Sequence, residues 1–464
     1  MGKRLSASFR DPSGIVYSQD GKLLRQVNQV YQEDYDLLLS SGLYEKLTKK
    51  KLLIPHQEVE DAPLEPDRSY KIIQPEKIGF ISYPYEWSFT QLKDAALLTL
   101  SIQKAALNAG MTLKDASAYN IQFHRGSPVL IDTLSFTKYI EGAPWIAYRQ
   151  FCQHFLGPLA LMSKIDLRLN KLLIDYIDGI PLDLCSRLLP VSSRFNLGLQ
   201  MHIHLHAGAE GRYADTSASK EVSLAGQKLT ISKNGLLGLL ESLESTIKKL
   251  DVKISGKEWA GYYSDTNYSA AAFNAKKTIV HDLVQELNPN FVLDLGANTG
   301  VFSLEAASGP ECLVVSADID GEAVELNYRN LKKIGQKNIL PLIIDLTNPS
   351  PAIGWDNQER DSFYSRRQTD VVLALALIHH LAIANNVPLG DIARTMANLG
   401  ECLVLEFVPK DDSQVKRLLR SREDIFPDYS LEGLTDAFEP FFEIQKRIPV
   451  PESQRTIFLF KRRR

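Results

Sequence analysis

The run Phe291-Val-Leu-Asp-Leu-Gly-Ala-Asn-Thr-Gly-Val-Phe-Ser303 constrains this chain more than any other stretch. Phe291–Leu295 is apolar except for Asp294, and it has the length of a buried strand. Gly296 and Gly300 frame a tight turn, because glycine takes positive φ freely and lets a ligand approach the backbone. The residues after Gly300 start a helix, whose first amides are unpaired and whose dipole is positive at that end. Strand, glycine turn and helix in that order place a ligand loop at the carboxyl edge of a parallel sheet. No Gly-Lys-Ser/Thr follows the turn, so it is not a P-loop.

Further strand-like runs follow at Cys312–Ala317, Leu340–Ile344, Val371–Leu377 and Cys402–Phe407, alternating with helical segments. That alternation predicts a doubly wound α/β domain with a parallel sheet and helices on both faces. Two of these strands end in acids. Asp318 lies 22 residues beyond Gly296, where a carboxylate can accept hydrogen bonds from ribose hydroxyls. Asp345 ends the next strand.

The set Asp294-x-Gly296-x-Asn298-x-Gly300, Asp318 and Asp345 resembles the class I S-adenosylmethionine-dependent methyltransferases over about 200 residues. The resemblance implies S-adenosyl-L-methionine as cofactor, with the loop at its methionine end, Asp318 at the ribose and Asp345 at the adenine amine. Asn298 departs from the commoner glycine, but asparagine tolerates positive φ. A dinucleotide-binding domain is the competing reading, and the loop alone does not choose between them. In similar enzymes the segment Trp259–Tyr268 lids the cofactor; a helix-capping loop with packed tyrosines is the alternative.

Methyl transfer needs an aligned nucleophile and, for a hydroxyl, a base. His379 and His380, after the fourth strand, are the catalytic candidates, with Glu406, at the same edge on the end of the next strand, ranked after them. The alternative is that these histidines pack or cap the next helix. The polar-Pro-Pro-aromatic motif of amine methylation is absent there. Phe407–Val415 and Arg420–Tyr429 read either as pocket walls or as a loop and a surface helix.

In the N-terminal half, Gly14–Leu24 reads as a hairpin turning at Asp20-Gly21. Tyr31–Lys49 reads as a helix, Lys71–Gln74 and Ile78–Tyr83 as strands, and Phe89–Asn108 as a helix ended by Gly110. Asp115, Asn120 five residues on, and Asp132 at the end of Val129–Asp132 have the spacing of a kinase catalytic loop. This half therefore resembles the protein-kinase and aminoglycoside-phosphotransferase superfamily, an α+β domain. That implies a site for ATP and magnesium at Asp115, Asn120 and Asp132, with Lys71 as the candidate phosphate lysine. The domain is degenerate: it has no G-x-G-x-x-G loop, and Thr133-Leu follows Asp132. His202-Ile-His-Leu-His206 has no adjoining cysteine or acid cluster, so no metal site is expected.

The predicted layout is a kinase-like domain over 1–215, a linker and connecting helix over 216–255, and a class I methyltransferase domain over 256–464. It resembles a bacterial two-part methyltransferase family that includes a host-specificity nodulation protein, which points to a carbohydrate acceptor. The expected activity is methyl transfer to a hydroxyl of a saccharide or small metabolite, with a protein acceptor as a further possibility. The alternatives are a bifunctional chain whose first half is a phosphotransferase, or a pseudo-kinase scaffold that recruits the acceptor. A net charge of -3 argues against nucleic acid as partner. The absence of a long apolar run predicts no membrane span, and the unpaired cysteines suit a reducing, cytoplasmic setting.

Overall fold

The computed structural model describes residues 2–206, 230–254, 269–307, 309, 312–420 and 423–463. The Trp259–Tyr268 segment lies outside the described residues. The chain divides into two compact units: residues 1–253 with Ala352–Asp361, and residues 254–351 with 362–464. No described helix is long and apolar enough to cross a membrane.

The first unit opens with an antiparallel sheet of β1 (Lys3–Arg4), β2 (Gly14–Gln19), β3 (Lys22–Asn28), β4 (His56–Val59) and β5 (Ser69–Pro75), in the order β1-β2-β3-β5-β4. Asp20 and Gly21 take φ 50° and 78°, the double positive φ that a two-residue hairpin turn requires. The stretch predicted as one helix over Tyr31–Lys49 forms two, Gln32–Ser40 and Leu43–Lys49, separated at left-handed Gly42. Ile78–Tyr83, predicted as a strand, is irregular. The Gln122 side chain takes both the N–H and the C=O of Ser82, so that backbone needs no neighbouring strand.

The helix Phe89–Asn108 starts at a capping box between Ser88 and Gln91. Two small antiparallel pairs follow it. β6 (Met111–Leu113) pairs with β9 (Phe136–Lys138), and β7 (Ile121–His124) with β8 (Ser127–Leu130). The helix Lys233–Lys249, expected within a linker, belongs to this unit. Its Glu244 pairs with Lys104, and its Lys248 carbonyl accepts from Lys93.

The second unit is a seven-stranded sheet. Its strands are β10 (Phe291–Leu295), β11 (Leu313–Asp318), β12 (Ile339–Ile343), β13 (Thr369–Ala374), β14 (Gly400–Phe407), β15 (Phe442–Pro449) and β16 (Thr456–Arg462). The order is β12-β11-β10-β13-β14-β16-β15. β10 to β14 are parallel; β16 runs antiparallel to both β14 and β15. The sheet is thus mixed rather than wholly parallel, because a turn of a few residues can join β15 to β16 only as antiparallel neighbours. Val292, Val314, Leu373, Val404 and Ile457 are fully buried in one core, each contributing roughly 1.5–3 kcal/mol of apolar burial. The chain winds outward through β11 and β12, then returns to place β13 on the other side of β10. That reversal opens a crevice at the carboxyl ends of the strands.

Candidate functional site

The crevice is a cavity of about 330 Å³. Five of the residues singled out at the glycine loop and the two strand ends line it: Asp294, Gly296, Asn298, Asp318 and Asp345. Gly300 is not on the wall, but it shapes the turn, at φ +82°, with the Asn327 amide packed where a Cβ would stand. Asn298 takes φ 51°, the conformation that lets asparagine replace glycine there.

The loop is anchored to the neighbouring strand. The amides of Gly296 and Ala297 both donate to the Ala317 carbonyl, at 2.9 and 3.0 Å. The Asn298 amide donates to Asp318 Oδ2 at 2.7 Å and the Asp320 amide to Oδ1 at 2.9 Å. These bonds aim Asp318 at the cavity and oppose its burial, which pushes its pKa up to about 6. Asp294 accepts from Ser303 Oγ at 2.6 Å, yet burial raises its pKa to about 7. Asp345 is held at Oδ1 by the amide and hydroxyl of Thr347, at 2.9 and 2.6 Å.

The two histidines separate. His380 lines the cavity, while His379 is fully buried and does not. Neither ring nitrogen of His379 has a hydrogen-bond partner among the described residues. The rings lie 4.2 Å apart, and burial lowers His380 to about 4 and His379 well below its usual range. His380 opens a π-type turn, His380–Ala384, and Ala376 just before it holds φ 50° on the cavity wall. Wide turns and left-handed non-glycine residues both concentrate at functional sites.

Glu406 is buried behind the wall. It accepts from Lys276 Nζ at 2.6 Å and lies 3.6 Å from Arg455, whose Nε donates to Asp412 at 2.8 Å. Lys276 was not foreseen. On its amphipathic helix, Ala270–Leu287, a lysine reads as solvated, but here it is 2% exposed and on the cavity wall.

The first unit brings Asp115, Asn120 and Asp132 together. Burial and the charge of Asp132 raise the Asp115 pKa, against hydrogen bonds that include one from Asn120. Asp132 is held below its ordinary range despite burial, chiefly by Arg25 of β3, with which it forms an ion pair. Lys71, the expected phosphate lysine, instead pairs with Glu58 on the neighbouring strand at 2.8 Å, 40% exposed. His202 has both ring nitrogens engaged by hydroxyls of Tyr148 and Ser242, and His204 by those of Ser186 and Ser193.

No family model matches the sequence. Among solved structures, magnesium protoporphyrin IX methyltransferase from Synechocystis PCC 6803 with bound SAM is 15% identical, covering 45% of this chain and 92% of that one at a TM-score of 0.31. The N-methyltransferase NodS from Bradyrhizobium japonicum WM9 is 12% identical, covering 41% and 98%, also at 0.31. The bifunctional kinase-methyltransferase WbdD is 15% identical, covering 45% and 43%, at 0.31. The nodulation protein NoeA of Rhizobium meliloti (strain 1021) is 35% identical over 463 residues, 99% of this chain and 96% of that protein. At that identity and coverage, the chain belongs to the family of the nodulation protein NoeA.

Proposed function

We propose that this chain is an S-adenosylmethionine-dependent methyltransferase acting on a hydroxyl of a saccharide or other small metabolite. One observation carries the reading: Asp294 and Asp318 of β10 and β11, and Asp345 just past the end of adjacent β12, line one cavity with Gly296 and Asn298. The reversed strand β16 between β14 and β15 departs from the mostly parallel sheet of dinucleotide-binding folds.

The residues fit the cofactor. Asp318 and Asp345 offer acceptors for a ribose diol and an adenine amine, beside apolar Ile319, Ile344 and Leu346. When bound, the cofactor supplies a methyl group on a sulfonium. The chain's own part is to seat it and to take the proton of the acceptor. His380 is the candidate for the proton-accepting role by position, since it is on the cavity wall. Burial lowers it to about 4, which keeps its imidazole neutral near pH 7 but makes it a weak base.

Adenosylmethionine should raise the melting temperature of the full chain, and Asp318→Ala should abolish that rise. No rise at millimolar cofactor would overturn the reading. A His380→Ala variant that keeps the thermal shift but loses transfer would support the base.

A second observation bears on the first unit. We infer that this kinase-like unit is a scaffold rather than a phosphotransferase, since Arg25 already neutralises Asp132, the carboxylate a magnesium ion would use. Isothermal titration of the full chain with ATP and magnesium should be silent. Binding that is lost in Asp132→Ala would restore the bifunctional reading.

A further inference from the structure

The cavity wall carries three carboxylates and, among the described lining residues, one Lys or Arg, Lys276. A buried lysine is expensive to desolvate, and an ion pair alone returns little of that cost. Lys276 is nonetheless held firmly. Glu406 Oε2 accepts from its Nζ at 2.6 Å, and the ring centroid of Phe302 lies 4.4 Å from that nitrogen. Glu406 is steadied in turn by Arg455, and Arg455 by Asp412. Lys276, Arg455, Glu406 and Asp412 together are neutral. Asp294 is close enough to Lys276 for the two charges to act on each other. One acid and one cation thus act on each other at the cavity wall, the acid being the residue two before Gly296. Opposite charges in that placement complement an α-amino-acid head, whose ammonium and carboxylate leave the same carbon.

We propose that Lys276 takes up the carboxylate of the ligand's amino-acid head, with Glu406 and Arg455 as positioning residues. This rests on the adenosylmethionine reading and deepens it: the carboxylate is the one anionic group of that ligand, and Lys276 is the cation placed to meet it.

The test compares two ligands by isothermal titration on the full chain. S-adenosylhomocysteine carries the amino-acid head; 5′-methylthioadenosine has the same adenosine and thioether without it. Lys276→Met should weaken S-adenosylhomocysteine roughly ten- to a hundredfold, the range for a charged hydrogen bond, and leave methylthioadenosine unchanged. Equal loss for both ligands, or loss for neither, overturns the proposal. The charge-balanced double variant Lys276→Met/Glu406→Gln guards against misfolding. If Lys276 serves only as counter-charge to Glu406, this variant recovers S-adenosylhomocysteine binding, and the proposal falls. If Lys276 meets the carboxylate, the selective loss remains. Wild-type protein that binds neither ligand would instead overturn the cofactor reading itself.

Discussion

Gly300 shows how a single position supports the cavity without lining it. Its φ of +82° alone costs an alanine about 1–2 kcal/mol. A Cβ there also overlaps the Asn327 amide, which donates to Ser316 at 2.9 Å. We expect Gly300→Ala to lose roughly 2–4 kcal/mol in urea denaturation, and Asn298→Gly to lose far less, since Asn298 already bends the same way. The acids give a pH signature. Asp294 and Asp318 have folded pKa values of about 7 and 6, above their unfolded values. Their contribution is full below the unfolded pKa and is lost as pH rises through 6 and 7. Buried His56, His154, His202 and His380, lowered to about 4, act in the opposite sense, losing stability as pH falls below 6.5. The clean measurement is therefore a difference. The melting temperature of Asp294→Asn minus that of wild type should increase between pH 5 and pH 8; a flat difference would refute it. The placement of Asp294, Asp318 and Asp345 along one cavity was legible because a carboxylate at or near the end of an apolar strand has few packing uses. Lys276 and Arg25 were not, since a lone cation in an amphipathic helix or an antiparallel strand looks solvated until its neighbours are known. Nor could spacing show which of two adjacent histidines turns toward the cavity.

At the scale of elements, the parallel strands were legible from apolar runs of strand length, and Phe291–Leu295 matched its predicted bounds. β15 and β16 went unforeseen. β15 alternates Phe442, Glu443, Ile444 and Gln445 with its polar side exposed, a weak signal beside continuous runs such as β13. Ile78–Tyr83 failed for the opposite reason: Phe80 and Tyr83 are buried without belonging to a sheet, and Ile81 is exposed. The short helix Ser413–Leu419 ties the buried ion network to the cavity. Asp412 caps it through the Gln414 amide at 2.9 Å and also accepts from Arg455 at 2.8 Å, while Leu418 lies on the cavity wall. Asp412→Ala removes a cap worth about 1 kcal/mol and strips a carboxylate from a buried guanidinium. We expect a loss of about 3 kcal/mol or more in denaturant unfolding. Asp412→Asn should retain part of the cap and lose less. Equal values for the two would mean that the charge of Asp412 does not matter.

At the scale of the whole chain, the layout expected over 1–215, 216–255 and 256–464 gave no sign of how the chain is shared between the two units. Ala352–Asp361 interrupts the connection from β12 to β13 and belongs to the first unit. Its sequence reads as an ordinary polar loop, so nothing local betrays this. Within that unit Glu359, 3% exposed, accepts from Arg10 Nε and Nη2 at 2.8 and 2.9 Å. The guanidinium of Arg360 lies 4.6 Å from the Tyr119 ring centroid, and the Asp361 amide donates to the Tyr83 hydroxyl at 2.9 Å. A fragment ending at residue 253 would lack all three contacts and leave their partners exposed or unsatisfied. We therefore expect fragment 1–253 to melt at a lower temperature than the first unit in the full chain. Within the full chain, Glu359→Ala should destabilise by about 1–3 kcal/mol, because the fork it receives from Arg10 is sheltered on the carboxylate side. Glu65→Ala, which breaks an exposed pair with Arg68 of the same unit, is the control and should cost well under about 1 kcal/mol. If both substitutions cost the same, residues 352–361 do not stabilise the first unit, and a fragment cut before them would serve as well as the whole chain.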